Sequence, residues 1–105
     1  MSSLQCPATL LLAAPGAEPP IEVAFSWSPD DEPDLWADDV LTLREALASI
    51  ADRTPGETTL VPVLDDRLRA ALPRLARVDA DPEALATSPW LLLVIDADDW
   101  VCRSL

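Results

Sequence analysis

The chain has 105 residues, half of them hydrophobic, with 19 acidic side chains against seven basic ones and a net charge of −12. That length suits one domain with a modest core, the composition is that of a globular rather than a disordered chain, and no apolar run approaches the ~18 residues of a membrane span. Histidine, lysine, tyrosine and asparagine are missing, and Gly16 and Gly56 are the two glycines, which removes the usual general base near neutral pH, Schiff-base lysines, Ser–His and Cys–His nucleophile pairs, and glycine-rich phosphate loops.

The opening "MSSLQCPATLLLAAPG" holds a short apolar stretch with no basic residue before it. A signal peptide carries a positive n-region, so the stretch reads as a strand of a cytoplasmic protein, ended by Pro15-Gly16. "IEVAFSW" then alternates Ile21, Val23, Phe25 and Trp27 with Glu22, Ala24 and Ser26. Period 2 predicts a strand with one wet face, paired antiparallel with the first through the "GAEPP" loop.

Residues 30–39, "DDEPDLWADD", hold six carboxylates: Asp30, Asp31, Glu32, Asp34, Asp38 and Asp39. A helix is expected over 34–53, because Trp36, Val40, Leu43, Leu47 and Ile50 form one apolar stripe, widened by Leu35 and Leu41. Asp34 is its expected N-cap, and Asp38 and Asp39 sit near the positive end of the helix dipole. Asp30, Asp31 and Glu32 precede the helix and gain nothing from it.

"TTLVPVLDD" predicts a third strand, with Pro62 at a sheet edge or a strand end. "DRLRAALPRLARV" follows as a helix that Pro73 should kink or break, with Arg67, Arg69, Arg74 and Arg77 giving it a basic face. "DADPEALATSP" reads as one short helix with Asp81 as N-cap and Pro82 at the first helical position. The last apolar run, Trp90–Ile95, reads as a strand buried on both faces, with Leu92 and Val94 in the core beside Leu43 and Leu47. Trp36 and Trp90 are also assigned to the core. Trp27 and Trp100, near strand ends and beside acids, are candidate exposed anchors ringed by carboxylates, with core packing as the alternative.

Asp96, Asp98 and Asp99 close that last strand. If the strand ran parallel and adjacent to "LVPVLDD", Asp65, Asp96 and Asp98 would meet at one sheet edge and could hold a divalent metal. The competing reading is a polar turn, "DADD", from which Trp100–Arg103 returns as a terminal strand. We take the turn, with no metal and no cofactor. Cys6 and Cys102 form neither a disulfide framework nor a zinc site; they read as two reduced thiols, with a clip between terminal strands as the alternative.

The expected architecture is a single α+β domain over 1–105. A four- to five-stranded mixed or mainly antiparallel sheet carries two main helices on one face. The acidity serves solubility, reflects a salt-adapted host, or recognises a basic partner; the use of arginine alone among the bases, with many alanines and prolines, fits a GC-rich genome equally well. The functional expectation is a small non-catalytic protein that binds and modulates or inhibits a protein partner with a basic surface. Asp30, Asp31, Glu32, Asp34, Asp38, Asp39, Trp27 and Trp100 would carry the contact. Direct nucleic-acid and membrane binding are not expected, and a homodimer is compatible with the sequence. A carboxylate–metal enzyme using Asp65, Asp96 and Asp98, and an accessory subunit of a larger complex, remain alternatives.

Overall fold

A computed structural model describes residues 7–28, 32–96 and 99–104. The chain runs β1 (Ala8–Ala13), β2 (Phe25–Ser26), a 3-10 turn (Pro33–Trp36), α1 (Val40–Arg53), β3 (Thr58–Val61), α2 (Asp66–Leu75), β4 (Arg77–Asp79), α3 (Pro82–Thr87), β5 (Trp90–Asp96) and β6 (Asp99–Ser104). Six strands form one sheet in the order β2-β3-β1-β5-β6-β4. It is mixed: β1–β3, β2–β3 and β4–β6 are parallel, whereas β1–β5 and β5–β6 are antiparallel. The α+β class stands, with six strands where four or five were expected.

The hairpin expected between residues 8–13 and 21–27 does not form. β3 lies between the two segments, and β2 pairs with β3 in parallel. Parallel neighbours need a crossover, and α1 supplies the one that brings β3 beside β1. Only Phe25 and Ser26 of the alternating "IEVAFSW" are strand, and Ile21 and Phe25 are 37% and 50% exposed. The segment follows Pro19-Pro20 and lies at the sheet edge, so alternation there marks no buried face.

The core lies between the sheet and the helices. Leu10, Leu12, Val61, Leu91, Leu93, Trp100 and Cys102 pack from the sheet against Leu43, Leu47 and Ile50 of α1 and Leu68, Leu72 and Leu75 of α2. β5 alternates: Leu91 and Leu93 are buried, but Leu92 and Val94 are half-buried on the opposite face. The expectation that Leu92 and Val94 would be fully buried is therefore corrected, since successive strand residues point to opposite faces and the helix core takes only one set. On that second face Leu11 is buried beside Leu60 and Leu92, its cross-strand partners.

α1 starts at Val40, five residues later than an Asp34 cap would set it. Its N-cap is Asp39, and Pro33–Trp36 forms a separate 3-10 turn. α2 begins at the Asp65 cap, whose carboxylate accepts the Leu68 N–H at 2.9 Å. Pro73 removes the N–H that would bond the Arg69 carbonyl, and the helix ends two residues later. The chain then extends into β4, a three-residue edge strand where a helix end was expected. Asp81 and Pro82 do begin α3, although the Asp81 side chain makes no cap bond. No helix among the described residues is long and apolar enough to cross a membrane.

Candidate docking surface

The residues leading into α1 form a surface on which apolar and acidic groups alternate. Leu35, fully buried, ties the 3-10 turn to the core. The turn closes through the Leu35 N–H on the Glu32 carbonyl at 3.1 Å and the Ala37 N–H on the Asp34 carbonyl at 3.1 Å. Arg67 fixes it from α2, donating to the Leu35 carbonyl at 2.5 Å and the Ala37 carbonyl at 2.6 Å. Its guanidinium also lies 5.9 Å from the Trp36 ring centroid and 3.6 Å from Asp65.

With Leu35 pointing inward, Trp36 points out and is 48% exposed. Leu41, in the first turn of α1, is 70% exposed. Both were expected on the buried stripe. The helix starts after Trp36, so the stripe loses its first member, and Leu41 falls one residue from the buried position that Val40 approaches. Asp34 and Asp38 are exposed on either side, and their carboxylates have no hydrogen bond or ion pair among the described residues. Glu32, half-buried, precedes the turn. Asp30 and Asp31 lie outside the described residues.

Asp39 has a structural duty. Its carboxylate accepts the Thr42 hydroxyl at 2.9 Å and the Thr42 N–H at 3.0 Å. The hydroxyl first, and then the amide, hold its pKa below the ordinary carboxylate value. Among the described carboxylates of the cluster, Asp39 is the one that caps the helix.

The tryptophans chosen as anchors lie elsewhere. Trp100 is 6% exposed and packs in the core, with the Arg44 guanidinium 4.2 Å above its ring. Strand alternation explains the correction: Asp99 faces solvent, so Trp100 must turn toward the helices. Trp27 is half-buried against the core, with the Arg53 guanidinium 5.4 Å from its ring, and its buried indole N–H has no hydrogen-bond partner among the described residues. Trp90 is half-buried rather than a core residue.

The carboxylates of the metal alternative do not converge. β1 is parallel to β3 and antiparallel to β5, so Asp65 follows the end of β3 at one edge of the sheet and Asp96 ends β5 at the other. Asp98 lies outside the described residues. No group of three His, Cys, Asp or Glu among the described residues could hold a metal ion. Instead β5 and β6 form the expected antiparallel pair, with Asp96 opposite Asp99, and Asp99 faces Arg77 at 3.5 Å. Cys102 is a free thiol buried in the core, and burial raises its pKa to about 11; Cys6 lies outside the described residues.

The basic face expected on α2 is also redistributed. Arg67 and Arg69 each bind two backbone carbonyls, those of Arg69 belonging to Leu85 and Ser88 at 2.9 and 2.6 Å. These links join positions 16 to 32 residues apart, which no local pattern announces. The exposed pair Trp36 and Leu41 was missed for a related reason: residues 34–39 look helical by period, and only Pro33 and the acid-rich spacing hint at an interruption. No family model matches the chain, and comparison with curated proteins and with solved structures finds no match to place beside it.

Proposed function

We propose that the chain is a small non-catalytic protein that binds a basic protein partner and modulates or blocks it. Its contact centres on Trp36 and Leu41 and is ringed by Glu32, Asp34 and Asp38. The observation that carries this reading is the exposure of Trp36 on a turn that two Arg67 hydrogen bonds hold in place. An exposed aromatic on a pinned turn, beside carboxylates that no described residue pairs, matches the composition of a binding hot spot, where an anchor is desolvated at the centre and charges line the rim.

Magnitudes support a modest but specific contact. A tryptophan presents roughly 150–250 Å² of buriable surface, so covering the exposed half of Trp36 contributes about 2–3 kcal/mol at ~25 cal/mol per Å². The carboxylates add mainly to the rate and selectivity of encounter, since exposed charges steer partners over about 10 Å at 0.1 M salt. The partner is a different protein rather than a second copy, because two chains of −12 repel. The same charge disfavours nucleic acid and anionic lipid. The non-catalytic reading draws on the missing histidine and lysine, and on a Cys102 thiol that burial keeps protonated and unreactive. A cytoplasmic setting accords with that reduced thiol.

A photo-reactive amino acid placed at position 36 or 41 in the native host tests the surface, with position 86 on α3 as control. We expect positions 36 and 41 to cross-link to the same basic protein and position 86 not to. Equal capture from all three positions, or capture of acidic proteins only, would show that this surface is not the contact.

A further inference from the structure

The seven arginines are unevenly committed. Arg67 and Arg69 each donate to two backbone carbonyls. Arg53 lies over Trp27, and Arg103 faces Asp79 at 3.7 Å. The other three, Arg44, Arg74 and Arg77, line one shallow concavity of about 330 Å³ where α1, the C-terminal end of α2, β4 and β6 meet. Asp99 is the one acid among the described residues of its lining. Its described lining thus carries three positive charges against one negative, on a chain whose net charge is −12.

Each of the three is available in a different way. Arg44 is oriented but not exhausted: it lies 4.2 Å over the Trp100 ring and gives one N–H to the Leu75 carbonyl at 3.2 Å. A guanidinium has five N–H donors, so most of its capacity remains. Arg74 has no hydrogen bond or ion pair among the described residues. Arg77 meets Asp99 at 3.5 Å with both side chains well exposed, a contact that stabilises little and can be exchanged. The C-terminal end of α2 attracts one cation through its dipole. It does not account for three.

We propose that this groove is a binding site for a phosphate dianion, free or carried as a monoester. Planar guanidinium forks match phosphate oxygens bidentately. A monoester offers three acceptor oxygens and a charge of about −1.5 to −2 at neutral pH, close to the surplus of the lining. A carboxylate would leave one fork and one charge unanswered. The volume falls at the lower end of small-molecule sites, with room for a small group that carries the phosphoryl. The site is separate from the surface around Trp36 and does not depend on it.

The test titrates inorganic phosphate, and separately O-phosphoserine, into the full chain at constant ionic strength while following the seven arginine Nε–H resonances. We expect saturable shifts confined to Arg44, Arg74 and Arg77. Arg74→Gln and Arg77→Gln, both at exposed positions, should each weaken binding about tenfold, the loss of one charge-assisted hydrogen bond. Arg103→Gln removes the same charge outside the groove and should change affinity less than about twofold. Tighter binding of O-phosphoserine supports a phosphoryl group carried on a larger ligand, and equal binding supports free phosphate. Linear, unsaturated shifts shared by all seven arginines, or an Arg103→Gln loss equal to that of Arg74→Gln, would overturn the proposal.

Discussion

Raising the pH through the alkaline range tests the core with a titrating group named in advance. Cys102 is fully buried opposite Leu93 and Val78, and burial lifts its thiol from 9.0 to about 11. Below the unfolded value both states hold the neutral thiol, and stability does not respond to pH. Above it the unfolded chain releases a proton that the folded chain retains, so stability falls as pH climbs toward the folded value and levels beyond it. A gap of that width corresponds to about 2–3 kcal/mol at 1.36 kcal/mol per pH unit. The measurement is unusually clean, because the chain has no lysine and no tyrosine to titrate in the same window. Urea unfolding under reducing conditions, followed by circular dichroism at intervals from about pH 8 to about pH 11.5, should show that loss in the wild type and in Cys6→Ala. It should vanish in Cys102→Ala. An equal alkaline decline in Cys102→Ala would mean that the thiol is not the group responsible, and that its burial in β6 is wrongly assigned.

Three further outcomes follow from named contacts. Arg67→Met removes both bonds to the Leu35 and Ala37 carbonyls and should cost about 2–4 kcal/mol in urea unfolding, with a shift in Trp36 emission as the turn loosens; an unchanged midpoint and spectrum would refute the staple. Leu93→Ala should cost about 2–5 kcal/mol and Leu92→Ala clearly less, because only Leu93 faces the helices; thermal melts showing the reverse order would invert the faces of β5. Asp65→Ala should cost about 0.5–2 kcal/mol by removing the cap on the Leu68 N–H, and no change in stability would show the cap to be idle.

Much of the fold follows from local pattern. Leu43, Leu47 and Ile50 are a helix face, Leu10–Leu12 and Leu91–Leu93 are central strands, and Asp81-Pro82 opens α3. The pairing of Asp96 with Asp99 is the hairpin that the polar "DADD" stretch implies. What escapes local pattern is set by distant partners. Phe25 alternates like a half-buried strand residue but stands at a sheet edge with little to cover it. β4 is only three residues long, and its strand identity comes from β6 rather than from its own sequence. Trp36 continues a helical period that Pro33 interrupts, and its outward placement depends on Leu35 taking the inward position. Arg67 and Arg69 look like a solvated basic face, and only the folded chain brings carbonyls to them. The candidate surface was therefore half legible: its carboxylates Asp34 and Asp38 are plain in the sequence, whereas its apolar centre is Trp36 with Leu41, not Trp27 with Trp100.

The partner captured at position 36 allows the most direct test of the docking surface. Its association and dissociation rates should be measured with the wild type, Asp34→Ser/Asp38→Ser and Trp36→Ala at about 50 mM and about 500 mM salt. We expect wild-type association to slow steeply with salt, the double variant to associate more slowly at low salt with a shallower dependence, and Trp36→Ala to dissociate faster with little change in association. Equal association and dissociation for all three proteins at both salt concentrations would contradict the proposed contact and leave the acidity of this segment to solubility alone.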